Sequence, residues 1–76
     1  MNMEKLLEQL SSLEHDQWVT WSKAVSPEVS QPRQERWKKL WCPYDELSEP
    51  SKEQDRVWAR KVLKIIKDFL DDEELK

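Results

Sequence analysis

The stretch from Trp37 to Arg56, WKKLWCPYDELSEPSKEQDR, limits the possible folds more than any other part of this chain. It holds two of the five tryptophans, the only cysteine, the only tyrosine and two of the four prolines. Pro43 fixes its own backbone and removes an amide donor, so a helix running through Trp37–Trp41 must stop before it. Ser48 then has the character of an N-cap. Pro50 is tolerated two residues later because first-turn amides have no intrahelical acceptor. The segment therefore reads as a basic helix end, a rigid aromatic turn over Pro43–Leu47 with Tyr44 and Leu47 pointing inward and Asp45 and Glu46 in water, and an acidic helix start.

The rest of the chain supplies helices on either side. Over residues 3–25 the positions Met3, Leu6, Leu7, Leu10, Leu13, Gln17, Trp18, Trp21, Ala24 and Val25 recur at spacings of three and four, the helical signature. Ser11 and Glu14 have capping-box spacing, so one helix or two short ones both fit; we favour a break or bend at Ser11–Ser12. Ser26-Pro27-Glu28 ends this helix and suits a single turn, and Pro27 and Pro32 mark a connecting loop. A short helix follows over residues 32–41, in which Trp37, Leu40 and Trp41 share a face with Arg33. The last helix runs over 49–70, with Asp55, Trp58, Val62, Ile65, Ile66, Phe69 and Leu70 as its expected buried stripe and Arg56, Arg60, Lys61, Lys64, Lys67 and Asp68 as its wet face. The charged tail 71–76 is expected to fray. The expected fold is all-α: one domain over 1–76, three to four helices around a tryptophan-rich core.

Composition bounds the function. A chain of 76 residues buries a limited core. With one cysteine it has no internal disulfide, and Cys42 alone makes no metal site. Stability must then come from the aromatics or from self-association. Charged residues make up 38% of the chain but nearly balance at net −3, which argues against general DNA or RNA binding. No apolar run approaches a membrane span and no leader pattern is present, so the expectation is a soluble cytoplasmic protein.

No side-chain pattern reads as catalytic or metal-binding, and no cofactor is implied. His15 and Asp16 are sequence neighbours and do not face each other on a helix. His15 reads as a polar residue hydrogen-bonded beside the core, and Cys42 as a small turn residue. Asp55, on the expected buried stripe, needs a partner, and the turn at Pro43–Tyr44 or a tryptophan N–H would supply it. Five indoles exceed what so small a domain encloses, so one or two should line a groove or an interface. Trp37 and Trp41 are the choice because cations flank them. Arg33, Arg36, Lys38 and Lys39 with Trp37, Trp41 and Tyr44 suit a nucleotide-type ligand, aromatic faces for bases and guanidinium forks for phosphate. The bland alternative is a solvated basic helix end.

The residues Pro43-Tyr44-Asp45-Glu46-Leu47-Ser48, then Lys52 and Asp55-Arg56, resemble the core motif of the RyR (ryanodine receptor repeat) domain family. His15-Asp16-Gln17-Trp18 is similar to the H-x-x-W of that family's first helix, and Lys23 stands where a lysine is common. The similarity spans most of 13–70 and looks most like the small bacterial and phage branch. The family's Gly-Trp-x-Tyr-Gly turn is replaced by Ser26–Arg36, since this chain has no glycine. The resemblance implies a non-enzymatic helical module that binds a nucleotide-type ligand, for example a cyclic oligonucleotide messenger, as a phage or bacterial sensor or as an anti-defence protein that sequesters it. In that setting Lys52 and Arg56 would point at a phosphate, joining Arg33, Arg36, Trp37, Lys39, Trp41 and Tyr44. Units of this type often occur in tandem pairs, so a lone copy implies a homodimer or higher homo-oligomer, with Leu6, Leu7 and Leu10 adding contact. A protein-interaction adaptor using the same Trp/Arg face is the alternative.

Overall fold

The computed structural model describes residues 2–74, and the side chains of residues 2–72. Helix α1 spans Met3–Val25, α2 spans Gln31–Lys38 and α3 spans Glu49–Glu74. Two short 3₁₀ turns, Ser26–Glu28 and Tyr44–Glu46, join them, and there is no strand among the described residues. The all-α architecture is as the sequence pattern implies.

Each helix start is closed by a side chain. Asn2 Oδ1 accepts from the Lys5 amide at 3.0 Å, and Ser30 Oγ from the Arg33 amide at 3.4 Å. Ser48 is the cap of α3, as expected: its hydroxyl accepts from the Ser51 amide at 3.4 Å and its carbonyl from the Lys52 amide at 2.9 Å. No described residue has a positive φ, which fits a chain without glycine.

Three boundaries differ from expectation. α1 is continuous through Ser11–Ser12. The Ser11 hydroxyl donates back to the Leu7 carbonyl at 2.8 Å, so it is a buried helix-interior serine and no longer serves as a cap. α2 ends at Lys38, and Leu40 and Trp41 continue as tighter turns onto the Trp37 and Lys38 carbonyls. At its other end α3 runs on to Glu74, past the expected stop at 70. Residues 75 and 76 of the expected frayed tail lie outside the described residues.

α3 packs mainly on α1, and the Tyr44–Leu47 turn also packs against α1. The most buried apolar residues are Tyr44, Leu47 and Ala59, and they share the interior with Ser11, His15, Ser22 and Ser26. Small residues set the closest approach: Ser11, Ser22 and Ala59 are wholly enclosed. Every buried polar side-chain atom among the described residues has a hydrogen-bond partner.

The expected buried stripe of α3 holds only in part. Asp55 and Val62 are half-buried, as is Leu63 beside them, but Trp58, Ile65, Ile66, Phe69 and Leu70 are exposed. The periodicity is real; among the described residues, no other element covers that side of the helix beyond residue 63. The molecule is correspondingly long, 53 × 24 × 15 Å. Its radius of gyration of 15.6 Å compares with about 11 Å for a compact domain of this length. Among the described residues, no helix is long and apolar enough to cross a membrane.

Candidate functional site

A concavity of about 630 Å³ lies between α1, α2 and the first half of α3. Four of the five indoles line it: Trp18 and Trp21 from α1, Trp37 from α2 and Trp58 from α3. Trp37 is the keystone. Its ring meets Trp18 edge-on at 5.8 Å between centroids, and tilts against Trp21 at the same 5.8 Å. Trp21 and Trp58 remain 55% and 58% exposed, with Lys61 Nζ lying 4.1 Å over one face of the Trp58 ring. Glu14, Gln17, Gln54 and Asp55 supply its polar edge.

Its floor is built from a buried imidazole. The His15 ring nitrogen Nε2 lies 2.7 Å from the Cys42 carbonyl oxygen, so that nitrogen carries the proton and donates it. The opposite ring nitrogen, Nδ1, faces Asp55 Oδ2 at 3.6 Å. Burial pushes the Asp55 carboxyl above the usual carboxylate range, and the Glu14 charge adds to it, while His15 opposes the shift. The His15 ring also stacks on Trp18, 6.1 Å between centroids. His15 thus ties α1 to the turn before Pro43 and to α3, and sets the indole next to it. This is the hydrogen-bonded role expected of it. Asp55 finds its partner in His15; the expected turn or indole donor is not the one used.

A second cluster sits around Glu8. The Tyr44 hydroxyl donates to Glu8 Oε2 at 2.7 Å. The Arg56 guanidinium grips both oxygens of the same carboxylate and donates to Glu49 Oε2 at 3.0 Å. Lys52 lies 3.7 Å from Glu49 and 5.6 Å above the Tyr44 ring. The Arg56 and Tyr44 hydrogen bonds hold the Glu8 carboxyl down at about 2. Burial, then the hydrogen bond to Glu8, pushes Tyr44 up to about 12. The guanidinium of Arg56 is correspondingly held in its charged form by Glu8 and Glu49. All its donors that matter are spoken for inside the fold, so this cluster is a clasp between α1, the turn and α3.

The expected site residues therefore do not form one surface. Tyr44, Lys52 and Arg56 belong to the clasp. Trp37 belongs to the groove. Arg33 and Arg36 are exposed on α2 and Lys39 just after it, and none of the three takes part in an ion pair formed among the described residues. Trp41 turns away from the groove: its Nε1–H donates to Ser22 Oγ at 2.9 Å, and Lys23 lies 5.7 Å over its ring. Of Trp37 and Trp41, the two indoles expected to line a groove, Trp37 lines this one; Trp41 is anchored to α1 instead, and the most exposed indoles of the groove are Trp21 and Trp58.

Sequence reasoning missed Glu8 as the clasp's acceptor and Trp18, Trp21 and Trp58 as groove walls. A signal for the first was present: Glu8, Ser11 and His15 fall at three- and four-residue spacing, a polar line along α1 facing the PY turn. Comparison of the chain with protein-family models, with curated proteins and with solved structures returns no match.

Proposed function

We propose that the chain is a non-enzymatic binding module whose indole groove takes a flat heteroaromatic ring, the base of a nucleotide-type ligand. The observation that carries this reading is the convergence of Trp18, Trp21, Trp37 and Trp58 on one opening of about 630 Å³, within the range of roughly 300–1,000 Å³ typical of small-ligand sites. Indole faces bind bases by stacking. The carboxyl of Asp55 and the amides of Gln17 and Gln54 meet the donors and acceptors of a base edge. No lysine or arginine lines the groove. Phosphate groups would lie outside it, within the field of Lys61, which sits 4.1 Å over the Trp58 ring, and of the exposed Arg33, Arg36 and Lys39. The resemblance of the PY core and of Lys52, Asp55 and Arg56 to the RyR domain family extends the proposal to a cyclic oligonucleotide messenger, sensed or sequestered by a bacterial or phage protein.

The test is intrinsic tryptophan fluorescence during titration with nucleosides, adenine nucleotides and cyclic di- and trinucleotides. Saturable quenching is expected, lost in Trp58→Ala and Trp37→Ala and weakened only a fewfold by Arg36→Ala. A folded protein that responds to none of these ligands would sink the proposal.

A second reading is favoured by the exposure of Trp21 and Trp58: large open indoles are common anchors of protein interfaces. An adaptor would present the same groove to a partner's side chain. Stoichiometric capture of one protein, abolished by Trp58→Ala with no nucleotide response, would move the assignment there.

A further inference from the structure

We propose that the indole groove selects a cationic base, an N-alkylated purine nucleotide of the 7-methylguanine type, over its neutral counterpart. This rests on the reading of the groove as a base site and narrows it. Three observations carry the narrowing.

The first is charge. Two carboxylates line the groove, Glu14 and Asp55, and no lysine or arginine does. The basic ring that lines it, His15, is directed at the Cys42 carbonyl and at Asp55, so it is engaged within the fold. Glu14 is half-buried, yet among the described residues it makes no ion pair and no side-chain hydrogen bond. Its charge reaches Asp55, whose carboxyl it helps to push up. Two acids that feel each other across a partly desolvated opening repel, and a cation bound between them removes that cost.

The second is where that charge stands. Glu14, Trp18 and Trp21 follow one another at spacings of four and three, so they share one face of α1. Trp37 closes against both of those indoles. Among the described residues Lys61 lies over Trp58, but no lysine or arginine lies over Trp18, Trp21 or Trp37. Three indoles and a carboxylate thus meet with no cation of the chain to answer them. The negative face of an aromatic ring attracts a cation, an attraction that a neutral base does not gain.

The third is the angle between the walls. Trp37 stands at 78° to Trp18 and at 51° to Trp21. Walls so inclined make a corner, and a flat base stacks on only one of them. An N-methyl group projects from the edge of an alkylated ring and carries part of its positive charge, so it fills the corner against the second indole. The far edge of a guanine-type ring presents two neighbouring N–H donors. These match the two oxygens of a carboxylate as a guanidinium fork does, and the positive charge of the ring strengthens both hydrogen bonds. A nucleotide of this kind is positive at the base and negative at the phosphate. The groove is acidic, and the cations Lys61, Arg33, Arg36 and Lys39 stand outside its lining.

The experiment is calorimetric titration of the full chain with 7-methylguanosine monophosphate and with guanosine monophosphate, in mildly acidic buffer so that the alkylated ring keeps its N–H proton. A trimethyllysine peptide serves as a cation without a purine ring. The methylated nucleotide is expected to bind about tenfold or more tightly than the unmethylated one. Glu14→Gln keeps the side chain's size and removes its charge; with its fold verified by circular dichroism, it should reduce that preference to less than about threefold. Equal affinity for the two nucleotides would overturn this inference and leave the base site standing. A preference that Glu14→Gln does not change would overturn the role given to the carboxylate. Binding of the trimethyllysine peptide with no response to either nucleotide would overturn both this inference and the base site, in favour of a protein partner.

Discussion

The two halves of α3 carry similar apolar periodicity and meet opposite fates. From Glu49 to Leu63 the helix is pinned: Arg56 grips Glu8, Asp55 faces His15, and Ala59 is enclosed against its neighbours. From Lys64 to Asp72 every residue is exposed, including the bulkiest apolar ones. The half that is held contributes a methyl group, a carboxyl and a guanidinium to the interior; the half that is bare contributes isoleucine, phenylalanine and leucine to the surface. Apolar spacing reports which side of a helix is greasy. It does not report whether anything stands across from that side, and here the holding is done by polar groups with fixed geometry.

That contrast can be broken from the pinned side first. Glu8→Ala should cost the most, about 2–3 kcal/mol, because it strands the enclosed Tyr44 hydroxyl and removes the acceptor that Arg56 shares with it. Urea unfolding of the monomer at low concentration measures this. Ala59→Leu should follow at about 2 kcal/mol, since a wholly enclosed methyl has no room to grow. Tyr44→Phe keeps the packing, loses one hydrogen bond and should cost about 1 kcal/mol in the same assay.

Acid sharpens the comparison further. The Glu8 carboxyl is held down at about 2 in the folded chain, below its ordinary value of 4.5. A depressed carboxylate contributes stability that is complete above the unfolded value and is lost as protons are added. Stability should therefore fall as pH drops from about 4.5 toward 2, and Glu8→Gln should flatten that part of the curve. Midpoints of unfolding across acidic buffers would show a parallel decline in both proteins if the clasp were unimportant. At the bare end the smallest effect is expected: Phe69→Ser should change monomer stability by less than about 0.5 kcal/mol, whereas a large loss would mean that the face is covered within one chain.

Much of this was legible in the residues. The capping serine at 48, the inward Tyr44 and Leu47, the helical segments and the hydrogen-bonded His15 all follow from local chemistry. The clasp was harder to see because its centre, Glu8, lies 36 residues from Tyr44 and 48 from Arg56 in sequence, and an acid on an amphipathic helix normally faces water. The groove was half seen. Trp37 was identified by its flanking cations, but those cations turn outward on α2, and the remaining walls come from α1 and α3 residues that read as core. The stop of α2 at Lys38 and the continuity of α1 at Ser11 were set by which way a hydroxyl or carbonyl turned, a choice spacing alone leaves open.

The negative φ at every described residue has a consequence for how this chain can change. No backbone position among them reserves its place for glycine, so a β-carbon of any size is sterically acceptable to the main chain throughout. What restrains substitution is then only what side chains touch: a clasp, a buried imidazole, a few enclosed serines and an alanine. Such a framework can wander widely in sequence while keeping its shape, and a designer could rewrite most of its surface without meeting a turn that refuses.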